Sequence, residues 1–390
     1  MEQLQNLIGG ELRGAINGEW LDNIEPATGK VYSQIPRSTT ADVALAVEAA
    51  EKAFPTWSAV AFAERAACLR SWAEKIAHHS EALIRAESKD NGKPISLAAA
   101  VDIPRAQQNL EFFAGAIEHF ASEAHIPADA SHIHYTHRKP IGIVGCISPW
   151  NLPLYLFTWK IAPAIAAGNC VIAKPSEITP FSAYMLSQWA EEAGIPKGVF
   201  NVVHGLGAEA GQAIVEHPQI KAISFTGGTA TGAHIARTTA SQFKKLSLEL
   251  GGKNPAIIFA DCDFDQALAT TIRSSFANQG QICLCSSRIL IEDSLYDRFK
   301  TALVEKVQRM QVGDPLEKET KMGAVVSEAH RDKILLSIEK AKEAGGEILC
   351  GGSAATPPNK RCTAGFFVQP TIIEGLGPEC EINQEEVFGP

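Results

Sequence analysis

Two hydrophobic rhythms alternate along the chain. Between residues 41 and 120 apolar positions recur at helical spacing, as in "ADVALAVEAAEKAFPTW", "AERAACLRSWAEKIAHHSEALIRAES" and "SLAAAVDIPRAQQNLEFFAGAIEHFA". This predicts helices, with Thr40 or Asp42 as cap of the first and "NGKPIS" as punctuation before the last. "SHIHYTHRKP" (131–140) alternates polar and β-preferring residues and predicts an exposed strand or arm. From 141 the short apolar runs "IGIVGCI", "CVIAK", "GVFNVV", "KAISFTG" and "KKLSLEL" alternate with helical segments. That is the βαβ rhythm of a parallel, doubly wound sheet. After 252 a second α/β set follows, with "NPAIIFA", "SRILIE", a helix over 327–344 and "GEILCGG". The paired glycines of "ELGGKNP" mark the boundary between the two sets.

The stretch 141–169 is apolar enough to suggest a membrane helix. Pro149, Pro153 and Pro163 interrupt it, and Asn151 and Lys160 sit inside it, so strand, loop and buried helix is the better reading. With 390 residues, 45% of them apolar and 20% charged, the chain is long enough for two globular domains. A net charge of −9 without any basic block argues against nucleic acid or an anionic membrane as partner. The nine cysteines are odd in number and show neither CxxC spacing nor a zinc pattern. Reduced thiols in a cytoplasmic protein, without a metal, are the expectation. The N-terminus has no basic segment leading into an apolar one, so no signal peptide is expected.

Six stretches can carry chemistry. "NQGQICLCSSR" (278–288) puts Cys283 and Cys285 in a loop between a helix and a strand. A thiolate there can be a nucleophile, but spacing leaves the two cysteines equivalent, and both also fit as buried fillers. In "LSLELGGKNP" (246–255), Glu249 interrupts an apolar run that reads as a buried strand, where a carboxylate is either paired or functional. Asn151 in "SPWNLP" (148–153) follows a predicted strand and is either a turn residue or a donor to a developing oxyanion. "AKPSEITP" (173–180) offers Lys174 and Glu177 to sugar hydroxyls or phosphate. "GLGAEAG" (205–211) opens a helix but lacks the standard dinucleotide fingerprint. "SFTGGTATG" (224–232) is a strand-to-helix turn suited to pyrophosphate.

Taken in order with "EEVFGP" near the end, these motifs resemble the signatures of the aldehyde dehydrogenase superfamily over nearly the whole chain. The resemblance implies an α/β fold with a Rossmann-type NAD domain, a second α/β catalytic domain and a protruding β arm. Residues 1–120 and 141–250 would form the NAD-binding domain, 121–140 an oligomerisation arm, and 251–390 part of the catalytic domain. It implies Cys283 as nucleophile, Glu249 as general base 34 positions earlier (283 − 249), and Asn151 as side-chain half of the oxyanion hole. Cys285 would be a neighbour, facing the same way if the segment is extended. It implies NAD as cofactor, held by Ser148, Trp150, Lys174, Ser176, Glu177, Gly207, Gly211, Phe225, Thr226, Gly227, Gly228, Leu250, Glu386 and Phe388. Glu177 would take the ribose hydroxyls and repel a 2′-phosphate. Lys160 matches a lysine sometimes given a proton-relay role.

Within the superfamily the chain resembles the 2-aminomuconic and 2-hydroxymuconic semialdehyde dehydrogenases. Arg105 falls where relatives acting on neutral aldehydes carry an apolar residue, and an Arg can pair bidentately with a substrate carboxylate. Leu152, Tyr155, Leu156 and Trp159 would line the rest of the substrate tunnel. The expected activity is NAD-dependent oxidation of a carboxylate-bearing semialdehyde to the acid; a shorter semialdehyde such as succinic is the alternative. Family members continue for roughly a hundred residues beyond "EEVFGP", enough for the rest of a domain. That portion would carry the strand joining subunits into a homodimer or homotetramer. The rival reading is a shortened relative that binds NAD or a partner protein without turnover.

Overall fold

A computed structural model describes residues 1–390. Its main sheet has seven strands in the order Lys245–Glu249, Ile220–Thr226, Ile143–Ile147, Cys170–Lys174, Phe200–Val202, Asn6–Ile8 and Glu11–Arg13. The first five run parallel and the last two are antiparallel additions at one edge. The continuous apolar runs become the inner strands because helices cover them: Ile143–Ile147 and Cys170–Lys174 are buried at every residue. Helices Thr40–Ala59 and Pro153–Ala166 both pack on these two strands. Sheet and helices share a core of 48 buried residues, against 9 in the next cluster, so most of the apolar burial lies here. The smaller cluster, with Ile258, Leu268, Phe276 and Phe299, lies beside the parallel pair Asn254–Ile258 and Ser286–Ile291.

The parallel part of the sheet starts at Ile143–Ile147, steps outward through Cys170–Lys174 to Phe200–Val202, then returns to the other side with Ile220–Thr226 and Lys245–Glu249. The order therefore reverses between Ile143–Ile147 and Ile220–Thr226. At such a switch point the connections leave in opposite directions and a crevice opens beyond the carboxyl ends of the strands.

Several expectations change. The first helix is capped by Thr39 rather than Thr40 or Asp42; Asp42 instead accepts from the Thr39 amide at 2.8 Å, closing a capping box. Lys245–Glu249 is the terminal strand of the sheet and mostly exposed, so Glu249 is not in a buried strand. An apolar run says nothing about whether a neighbour lies on both sides of it. The arm is a short exposed hairpin, Ala124–His125 with His134–Tyr135. The 141–169 stretch divides between a strand and a helix, and no helix is long and apolar enough to cross a membrane.

Candidate active site

The Cys283 loop begins where helix Phe264–Phe276 ends. Asn278, Gln279 and Gly280 follow with φ of 52°, 57° and 69°. Left-handed backbone costs a non-glycine residue about 1–2 kcal/mol. Side-chain bonds offset this: Asn278 Nδ2 donates to the Asn151 carbonyl at 2.8 Å and Gln279 Nε2 to the Ala324 carbonyl at 2.8 Å. Gly280 is required, since a Cβ there would stand 2.2 Å from the Gly389 oxygen. The "NQGQ" turn thus stacks directly on the "EEVFGP" segment.

The next residues form a turn, with the Cys285 amide on the Ile282 carbonyl at 2.9 Å. The segment is not extended, so the condition under which the two cysteines would face the same way is not met. Cys285 is buried, and burial pushes its thiol up to about 11. Cys283 is half-buried. Burial, then Glu386 and Glu249, raise its pKa, against its own and the Leu284 backbone N–H, which favour the thiolate. Asn254, which sequence reasoning missed, clamps the loop by donating to the carbonyls of Cys283 at 2.5 Å and Cys285 at 3.2 Å. Only its place in "GGKNP" could have signalled it.

Asn151 is buried between the Ile143–Ile147 strand and the Pro153–Ala166 helix. Its Nδ2 donates to the Gln281 carbonyl at 3.0 Å, two residues before Cys283. Glu249 ends its strand at the same side, close enough that its charge acts on both Cys283 and Lys160. Lys160 is buried; desolvation lowers its pKa to about 8, against the opposing pull of Cys146 and Glu249. Glu386 lies over the "GG" of 251–252: a Cβ on Gly251 would meet its Oε2 at 2.4 Å. Burial raises the Glu386 pKa, and the Gly252 amide opposes this.

The switch-point crevice gathers the remaining motifs. Lys174 pairs with Glu177 at 3.0 Å, and the Gly207 amide donates to Glu177 Oε1 at 3.4 Å. Burial pushes Glu177 up, but the Lys174 ammonium and these hydrogen bonds hold it below its ordinary value. Gly211 faces the Lys174 stem, where a Cβ would lie 3.6 Å from Cδ. Across the crevice Phe225 lies under Gly227, Gly228 caps the Thr229–Ala240 helix with open space beside it, and Leu250 packs on Gly232. Ser148 Oγ and Thr226 Oγ1, at the carboxyl ends of the two switch-point strands, are buried without a partner. Such atoms are normally satisfied, here by whatever fills the crevice. A helix N-terminus, a carboxylate beside a lysine and orphaned hydroxyls together fit a dinucleotide. Ser176 is buried next to Lys174. Trp150 and Phe388 meet edge to face at 5.2 Å, with Phe388 at φ 63° and its carbonyl on His330 Nε2 at 2.7 Å.

On the other side of Asn151 the helices Ile103–Glu118 and Pro153–Ala166 pack together. Arg105 is exposed and lies over the Tyr155 ring at 5.3 Å, with Nη2 3.4 Å from its hydroxyl. Trp159 packs on Phe113 at 5.6 Å and is partly exposed, Leu156 is half-buried, and Leu152 is buried.

A parallel sheet whose switch-point crevice fits a dinucleotide is the frame of a nucleotide-binding α/β protein. The aldehyde dehydrogenase family model matches residues 15–390, and the chain belongs to that family. It is 47% identical to the 2-aminomuconic semialdehyde dehydrogenase of Bos taurus, over 99% of this chain and 79% of that protein. It is 40% identical to the 2-hydroxymuconic semialdehyde dehydrogenase of Pseudomonas sp. (strain CF600), over 100% of this chain and 81% of that protein. PnpE in complex with nicotinamide adenine dinucleotide is 41% identical and superposes with a TM-score of 0.96, over 100% of this chain and 79% of that one. The chain is an oxidoreductase of this family.

Proposed function

We propose that the chain oxidises a carboxylate-bearing semialdehyde of the 2-aminomuconic or 2-hydroxymuconic type to the acid, with Cys283 as nucleophile. The Cys283 thiolate adds to the aldehyde carbon, and the oxygen becomes an oxyanion. The Asn151 carboxamide and the Cys283 backbone N–H donate to it. NAD, held by Lys174, Glu177, Gly227 and Gly228, would supply the acceptor for the hydride that leaves this carbon. A thioester is left on Cys283. Glu249, at the exposed end of its strand, takes a proton from water; the hydroxide attacks, the acid leaves and the thiolate returns. Lys174 and Glu177 hold the adenosine ribose, where a carboxylate repels a 2′-phosphate and favours NAD over NADP.

Arg105 carries the substrate assignment. Its guanidinium lies over Tyr155 on the helix that follows Asn151, and is exposed to an arriving ligand. It can pair with a carboxylate bidentately. The similarity to muconic semialdehyde dehydrogenases supports the same class. The test is NADH formation from 2-hydroxymuconic semialdehyde and from a neutral aldehyde, by the parent and by Arg105→Ala. A charge-assisted contact at an exposed site is worth about tenfold in kcat/KM on the carboxylated substrate, with little change on the neutral one. Equal losses on both would remove Arg105 from substrate recognition.

A further inference from the structure

The reach of the Asn151 carboxamide depends on how its backbone is held. Trp150 and Asn151 lie between the strand ending at Ile147 and the helix starting at Pro153, outside both. The Asn151 carbonyl accepts from three side chains: Asn278 Nδ2 at 2.8 Å, Lys93 Nζ at 3.2 Å and Asn91 Nδ2 at 3.4 Å. Asn91 also donates to the Trp150 carbonyl at 2.8 Å. Asn278 belongs to the Cys283 turn. Asn91 ends helix Ser80–Asn91 and Lys93 follows it in the "NGKP" loop, outside the motifs that form the site.

Lys93 is fully buried and its ammonium pairs with Asp102, also fully buried, in the widened turn Ala98–Asp102. Ser88 Oγ donates to the Lys93 carbonyl at 2.7 Å, so the backbone of Lys93 is fixed as well. In the same cluster Glu87 Oε1 accepts from the Leu154 amide at 3.1 Å, in the first turn of the helix after Asn151. Desolvating such a pair costs several kcal/mol, and apolar replacements of similar volume are often neutral or stabilising. Stability alone therefore does not account for an ammonium at this place.

We propose that Lys93 is a positioning residue: together with the Cys283 turn it fixes the Asn151 carbonyl and so aims the carboxamide at the reacting oxygen. This rests on the reading of Asn151 as oxyanion donor. The ion pair with Asp102 is net neutral, so its field falls off quickly and its effect on the oxyanion is geometric rather than a direct charge. The Asn151 peptide is held between two anchors, one from the nucleophile's loop and one from Lys93. That arrangement couples the position of the oxyanion donor to the position of the thiol.

The test follows the first NADH formed in stopped flow, per titrated Cys283, with NAD and 2-hydroxymuconic semialdehyde. Asn151→Ala is expected to slow it about 100-fold or more, as for loss of an oxyanion donor. Lys93→Met is expected to slow it about 10- to 100-fold, with NAD binding by fluorescence titration changed less than about twofold. Lys93→Arg, which keeps a cationic donor, restores part of the rate. The double variant is no slower than Asn151→Ala alone, because both act on one contact. A Lys93→Met protein with the parent's rate per titrated thiol, whatever its melting temperature, overturns the proposal, as do losses that multiply with Asn151→Ala. Should Lys93→Met not fold, Asn91→Ala removes a donor from the same carbonyl without touching the ion pair; a multiplicative loss there has the same meaning. An Asn151→Ala protein with the parent's rate removes the oxyanion reading and this proposal with it, whereas a slow Asn151→Ala beside an unaffected Lys93→Met removes the proposal alone.

Discussion

At the scale of single residues, two thiols two positions apart occupy unlike surroundings. Cys285 lies in packed protein, with Sγ 3.9 Å from the Ala277 carbonyl and its pKa pushed up to about 11 by burial. Cys283 is half-buried, with backbone N–H groups against its sulfur. Burial and the charges of Glu386 and Glu249 favour its protonated form, so the thiolate is scarce until those charges are offset. Cys283→Ala is therefore expected to abolish NADH formation, while Cys285→Ala keeps it within about threefold, as a small buried hydrophobe does on trimming. Substrate-protected labelling by iodoacetamide should map to Cys283. Turnover surviving in Cys283→Ala, or lost in a well-folded Cys285→Ala, would reverse the assignment. The sequence left these cysteines equivalent because spacing carries no burial. Only the surrounding motifs separated them, and the Ile282–Cys285 turn removes the extended backbone on which a shared direction was conditional.

At the scale of elements, helix Ser80–Asn91 reaches the start of helix Pro153–Ala166 through Glu87. Burial raises the pKa of Glu87 from 4.5 to about 8, against the pull of Lys93. Its Oε2 and Asp102 Oδ2 are both buried without a hydrogen-bond partner as bare carboxylate oxygens. A protonated Glu87 donating to Asp102 satisfies both and leaves Lys93 and Asp102 as the single charged pair. The sign of the pH effect follows. The folded state keeps a proton that the unfolded chain releases above about 4.5, so this contribution is full below that pH and is lost as pH rises through about 8. Glu87→Gln copies the protonated acid. It is expected to flatten the fall of the urea midpoint between about pH 5 and pH 9; a slope equal to the parent's would place the proton elsewhere. None of this cluster was legible in the sequence, where "NGKPIS" read as punctuation. The five parallel strands were legible as short apolar runs, although only Ile143–Ile147, Cys170–Lys174 and Phe200–Val202 are buried at every residue. The exposed edge position of Glu249, the left-handed Asn278 and Gln279, and the clamp by Asn254 were not. Each depends on a neighbour distant in the chain, as with Asn278 and Asn151, 127 positions apart.

At the scale of the molecule, the large core and the C-terminal half meet through a small set of bonds. The Ile95 amide donates to the Pro315 carbonyl at 2.8 Å, Ala324 to Gly92 at 3.0 Å and Phe366 to Pro26 at 2.9 Å. The first two hold the ends of the loop that carries Lys93. Arg361 joins the same seam, donating to Asp314 Oδ1 at 2.7 Å and to Glu25, which lies 336 positions away along the chain. The two carboxylates are nearly buried, with side-chain exposures of 5% and 10%, while Arg361 is 33% exposed. Removing the guanidinium leaves two acidic groups facing each other without a cation. A fully buried pair broken on one side costs about 3–5 kcal/mol; water reaching Arg361 lowers that here to about 2 kcal/mol. Arg361→Met keeps the apolar stem and removes the charge. Its urea midpoint should fall with an unchanged m value, since the folded surface is otherwise the same. NAD at about 100 times its Kd should add about 2.7 kcal/mol to parent and variant alike, because the proposed contacts at Lys174, Glu177, Gly227 and Gly228 belong to the large core. An unchanged midpoint would mean that the backbone bonds alone hold the seam. A midpoint that falls together with a loss of the NAD increment would mean that the seam sets the shape of the cofactor crevice, and that the two halves bind NAD as one body.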